Sequence, residues 1–214
     1  MNLSGKKINF LGDSITYGVG PSDFSKIYHS LLASREGIEA RNFGLSASCV
    51  ARLVLLSYGE VLDKMPMCLR IEDVDPGADM TVIFGGTNDY GLGVPHSARE
   101  GDSDIFTFPG AMRMMLGKAR KLFPRMEIVF MTPIHRLGEK NPCGFDGAPL
   151  EDYAETIREI SAEFDVPVCD LFAYGDFFPD ITEDRVKYAP DGLHPNDAGN
   201  DVIARRLAGF LKNL

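Results

Sequence analysis

The chain has 214 residues, of which 44% are hydrophobic and 25% charged, with a formal net charge of -9. That length and apolar content predict one domain, 1–214, with a sizeable core, and no apolar run approaches the roughly 20 residues that span a bilayer. The acidic balance argues against a nucleic-acid or anionic-membrane partner, which Lys and Arg would have to hold.

Residues 1–7 lead directly into an apolar run at 8–11 without the hydrophobic region of a signal peptide, so the expected location is the cytoplasm. Similar short runs recur at 40–43, 80–84, 127–132 and 166–171, and read as five buried strands. Stretches that can carry helical periodicity lie between and after them, at 28–35, 109–123, 149–164 and 195–214. The last three start with Pro109, Pro149 and Pro195, placed as first-turn prolines whose missing N–H costs nothing. Alternating strands and helices predict an α/β fold, a three-layer sandwich around a five-stranded parallel sheet of flavodoxin-like type. Three long connections, 90–108, 135–148 and 173–191, read as lids or binding loops. Cys49, Cys68, Cys143 and Cys169 are scattered, with neither disulfide nor zinc spacing. No heptad or self-association motif sets an oligomeric state.

In an open parallel sheet, ligands bind beyond the carboxyl ends of the strands. The first strand runs into Gly12-Asp13-Ser14, the second into Gly44, and the third into Gly86-Thr87-Asn88-Asp89, while Asp191-Gly192-Leu193-His194 precedes the last helix. A serine hydroxyl is a weak nucleophile until a base takes its proton. His194 is the candidate base, and Asp191, three residues earlier, can fix its tautomer and steady the imidazolium. Taken singly, each residue has a plainer reading: Ser14 as a helix cap, Gly44 and Asn88-Asp89 as turn formers, Asp191 or His194 as caps. Asp13 reads as support for the turn that presents Ser14.

The four blocks, in this order, resemble the SGNH hydrolases, also called GDSL esterases and lipases, from near residue 8 to 198. The resemblance implies Ser14 as nucleophile with Asp191 and His194 completing the triad. It also implies an oxyanion hole built from the backbone N–H groups of Ser14 and Gly44 and the side-chain amide of Asn88. One departure stands out: Ala47 follows Gly44-Leu45-Ser46 where the family often has another glycine, which bears on local loop shape. No cofactor and no metal are expected.

The expected activity is hydrolysis of a small carboxylic ester with a short acyl group, such as an O-acetyl carbohydrate, through an acyl-enzyme. The short-acyl expectation rests on the absence of a lipid-facing apolar stretch and on polar loop residues such as Arg99, Glu100, Asp102 and Asp104. An acyltransferase, thioesterase or lysophospholipase could use the same triad, and the sequence does not separate these. A metallophosphoesterase lacks Asp-x-His and His-x-His motifs here, while a non-catalytic small-molecule or nucleotide-binding module, which the same architecture allows, has no glycine-rich phosphate loop behind it. His29, His96 and His135 show no partner pattern and are assigned no catalytic role.

Overall fold

The computed structural model describes residues 1–57, 60–63, 65–97, 103–142 and 146–214. β1 (Lys7–Gly12) leads into a helical turn, α1 (Ser14–Tyr17), followed by α2 (Tyr28–Glu36) and β2 (Glu39–Gly44). An antiparallel hairpin of β3 (Val54–Ser57) and β4 (Glu60–Asp63) and the short α3 (Met67–Arg70) precede β5 (Met80–Phe84). Next come α4 (Thr87–Leu92), α5 (Phe108–Leu122), β6 (Glu127–Met131), α6 (Leu150–Glu163) and β7 (Val168–Cys169). The order ends with α7 (Leu171–Tyr174), α8 (Thr182–Tyr188) and α9 (Asp197–Lys212).

The main sheet has five strands in the order β2-β1-β5-β6-β7, all parallel. Side chains alternate across it with period two. Ile8, Phe10, Met80, Val82, Phe84, Val129 and Met131 pack on one face with Tyr28 and Leu32 of α2 and Ile203, Leu207 and Leu211 of α9. Leu11, Ile83, Ile128 and Phe130 pack on the other with Met112, Met115 and Leu116 of α5 and Tyr153 and Ile157 of α6. Both faces are covered, so these strands read as near-continuous apolar runs, interrupted by the buried Asn9 and Thr81, rather than alternating ones. The chain builds outward from β1 first to β2 and then to β5. The resulting crevice opens at the carboxyl ends of β1 and β5, which places Ser14 and Asn88 on its two sides.

Several boundaries differ from the sequence reading. The run at 166–171 shrinks to Val168–Cys169, because Pro167 has no N–H to give the sheet and Asp170 is drawn off to cap α7 through Ala173 N–H. Of the three prolines, only Pro109 lies inside its helix; Pro149 precedes α6. Pro195 lies outside α9 because the Asn196 side chain captures the Ala198 and Gly199 N–H groups, setting the start at Asp197. The hairpin and α4 were not read from the sequence, and the 173–191 connection contains α8. Arg99, Glu100, Asp102 and Cys143 lie outside the described residues. Among the described residues, no helix is long and apolar enough to cross a membrane.

Candidate active site

Asp13 N-caps α1: its Oδ1 accepts the Ile15 N–H at 2.9 Å, so the chain turns sharply off β1 and presents Ser14 as the first helical residue. Ser14 Oγ lies 3.0 Å from His194 Nε2, and His194 Nδ1 lies 2.6 Å from Asp191 Oδ2. The structure therefore brings the three residues, 180 positions apart at the extremes, into one hydrogen-bonded series.

Asp191 does more than face the ring. Its Oδ1 accepts the backbone N–H groups of Leu193 at 2.9 Å and His194 at 2.7 Å, so one carboxylate sets both the loop and the imidazole it carries. Partial burial pushes this carboxyl up, but the hydrogen bonds from His194 and Leu193 outweigh it and hold the pKa below its ordinary value. An acceptor-only carboxylate fixes the proton on Nδ1 and leaves the Nε2 lone pair for Ser14. Gly192 makes the loop feasible: its φ is +82°, and a Cβ there would come within 2.6 Å of Leu137 Cβ. Leu137 N–H in turn donates to Gly192 O at 2.8 Å, so the segment after β6 walls the acid-base loop.

The oxyanion side departs from the sequence reading. Gly44 N–H donates to Asn42 Oδ1 at 2.8 Å and is thereby already engaged. Gly44 is glycine because of close packing, since a Cβ there would lie 2.2 Å from Tyr17 N. The next turn does carry unspent donors. Leu45 N–H donates to Gly12 O, and Ser48 N–H closes the turn onto Leu45 O, both at 3.0 Å. Ala47 sits within that turn at φ +62°, and among the described residues neither its N–H nor that of Ser46 has a hydrogen-bond partner. Asn88 Nδ2 donates to Ser48 O at 3.1 Å, which locks its amide beside this turn and leaves its second N–H for a ligand. Ser14 N–H, as the first of the helix, likewise has no partner among the described residues.

Behind these groups lie two buried carboxyls. Asp89 accepts Val50 and Ala51 N–H at 2.9 Å each, tying α4 to the chain beyond the turn. Burial pushes the Asp89 pKa up to about 7 and that of Asp13 up to about 6, in each case against hydrogen bonds that pull it down. Burial also pushes the thiols of Cys68 and Cys169 up to about 12, which leaves them poor nucleophiles.

The other histidines are engaged elsewhere. His29 contacts Thr16 O and is pushed by burial down to about 4, and His96 contacts Thr156 Oγ1 at 2.6 Å. His135 Nδ1 meets both Glu139 oxygens at 2.9 Å. Among the described residues, no group of three or more His, Cys, Asp and Glu side chains is placed to hold a metal ion.

A serine, histidine and aspartate in series at the mouth of a parallel sheet form a constellation that recurs in hydrolases on unrelated folds. The chain belongs to the GDSL-like lipase/acylhydrolase family, whose model matches residues 10–202. Among solved structures, a protein from Lactobacillus plantarum is 31% identical, with 98% of each chain covered and a TM-score of 0.83. Axe2, an acetyl-xylooligosaccharide esterase from Geobacillus Stearmophilus, is 20% identical over 99% of this chain and 96% of that one, with a TM-score of 0.66. The salicylyl-acyltransferase SsfX3 of a tetracycline biosynthetic pathway is also 20% identical, over 98% of this chain and 55% of that one, with a TM-score of 0.69. No curated protein matches the chain.

Proposed function

We propose that this GDSL-family chain is a carboxylic ester hydrolase with Ser14 as nucleophile, His194 as general base and acid, and Asp191 as the group that orients it. The observation that carries this reading is the unbroken series Ser14 Oγ, His194 Nε2, His194 Nδ1, Asp191 Oδ2 at 3.0 and 2.6 Å. Nε2 takes the Ser14 proton as Oγ attacks the ester carbonyl carbon, and Asp191 steadies the imidazolium that forms. The tetrahedral oxyanion is received by three donors: Ser14 N–H, Ala47 N–H in place of Gly44, and the free amide N–H of Asn88. Donors fixed in advance of the charge they meet supply the largest part of such catalysis, about 3–4 kcal/mol each when removed. His194 then gives its proton to the departing alkoxide. Water attacks the acyl-enzyme, its proton passing to Nε2, and the acid leaves as Ser14 Oγ is reprotonated.

The acyl group in this reading is short. The acetyl-ester chemistry that Axe2 performs on a related fold supports it. The acyl acceptor is water, which product analysis with an added alcohol distinguishes from transfer. Labelling with a fluorophosphonate tests the nucleophile: mass spectrometry is expected to find the adduct on Ser14, with none formed by Ser14→Ala. An adduct on another residue would contradict the assignment.

A further inference from the structure

Arg70, at the end of α3, is 58 residues from Gly12, 27 from Phe43 and 22 from Ser48, yet its guanidinium touches all three. Nη1 donates to Phe43 O at 2.7 Å, Nη2 to Gly12 O at 2.8 Å and to Ser48 Oγ at 3.1 Å, and Nε to Met65 O at 3.3 Å. Most of these acceptors belong to the site. Gly12 precedes Asp13-Ser14, and Phe43 lies at the end of β2. Ser48 closes the turn that presents Ala47 N–H, and its carbonyl receives the Asn88 amide. A single planar cation thus joins the nucleophile's strand, the neighbouring strand and the oxyanion turn.

The charge is as notable as the geometry. All four hydrogen bonds from this half-buried guanidinium among the described residues go to neutral oxygens. Burial pulls its pKa down, against the attraction of Asp73 and Asp13, but a guanidinium stays protonated wherever proteins fold. Its field also reaches Asp13, which it pulls down against burial. A structural brace alone could use carbonyl-binding amides; a fixed cation behind the turn also favours negative charge in front of it.

We propose that Arg70 is the positioning residue of the oxyanion hole, holding the Ser14, Ala47 and Asn88 donors in register and supplying a positive field behind the oxyanion. This rests on the ester-hydrolase reading above. Lysine is a poor replacement, because an ammonium gathers its three donors on one nitrogen and lacks the planar fork that spans these segments.

The test compares wild type, Ser14→Ala, Arg70→Lys and Arg70→Ala on p-nitrophenyl acetate, with thermal melts alongside. Arg70→Lys is expected to lose about tenfold to a hundredfold in kcat, the effect of a roughly 1 Å displacement of reacting groups, with KM nearly unchanged and the fold intact. A small alkyl boronic acid, whose tetrahedral adduct on Ser14 puts an oxygen anion in the hole, is expected to bind this variant more weakly by a similar factor. Arg70→Ala is expected to regain part of its kcat with added guanidinium; if it does not fold, Arg70→Lys decides the matter alone. Wild-type kcat and boronate affinity in folded Arg70→Lys, beside an active wild type and a dead Ser14→Ala, would overturn the role of Arg70 alone. An inactive wild type that also fails to bind the boronic acid would overturn the esterase reading and the role of Arg70 with it.

Discussion

Gly44 donates its backbone N–H to Asn42 Oδ1 at 2.8 Å, and this local bond engages the donor that the sequence assigns to the oxyanion hole. The proposed replacement donor is Ala47, in a left-handed conformation that costs a non-glycine residue about 1 kcal/mol. Ala47→Gly relieves that strain, while the greater freedom of glycine in the unfolded chain takes part of the gain back. The expected outcome is an unchanged or slightly raised Tm and an unchanged kcat. Gly44→Ala is expected to be harmful, because its Cβ would fall 2.2 Å from Tyr17 N and displace the turn carrying Ser14. Melting curves and p-nitrophenyl acetate kinetics on the two variants check both statements.

Asn88 contributes an amide proton that an acidic side chain cannot supply. Asn88→Asp is expected to lower kcat by about a hundredfold to a thousandfold, the loss that follows removal of one oxyanion donor, with KM little altered. A variant that raised KM and kept kcat would place Asn88 in substrate binding instead.

Asp191 accepts from the His194 ring and from two backbone N–H groups. Asp191→Asn points a donor toward the imidazole in one of its two orientations and favours the wrong tautomer, so a fall in kcat of about ten-thousandfold is expected. Asp191→Ala also removes the loop's acceptors and is expected to melt at a lower temperature than Asp191→Asn. Similar melting of the two would mean the loop holds without a side-chain acceptor at this position.

Asp89 links pH to stability. Its pKa is raised by burial to about 7 in the folded chain, against 3.8 for the unperturbed group. Between those values the folded state keeps a proton that the unfolded state has released. Its contribution is therefore full below the lower value and lost as pH rises through the upper one. The stability difference between wild type and Asp89→Asn is expected to move against the wild type from about pH 4 to pH 8. Denaturant titrations across that range measure it, and a difference moving toward the wild type would show that the Val50 and Ala51 N–H bonds outweigh burial.

Much of the fold and part of the site were legible because they rest on local pattern. Runs such as Met80–Phe84 are buried on both faces, so their continuity announces a parallel sheet. Ser14, Asn88 and His194 are positioned by elements they directly follow or precede, so motif order was enough to bring them forward. The engagement of Gly44 N–H was not legible, because the Asn42 side chain that accepts it is a neighbour whose hydrogen bond no motif encodes. Arg70 carried no signal, since its acceptors are up to 58 residues away and become neighbours only when β1 and β2 pair. α8, seven residues long, is too short to show a period inside a loop.

The most direct test of the account is hydrolysis of p-nitrophenyl acetate at about pH 7 to 8 by wild type and Ser14→Ala, each with and without EDTA. The expected result is turnover by wild type that EDTA leaves unchanged and that Ser14→Ala abolishes. Equal turnover by both proteins, or turnover that EDTA removes, would contradict a serine-based mechanism at this site.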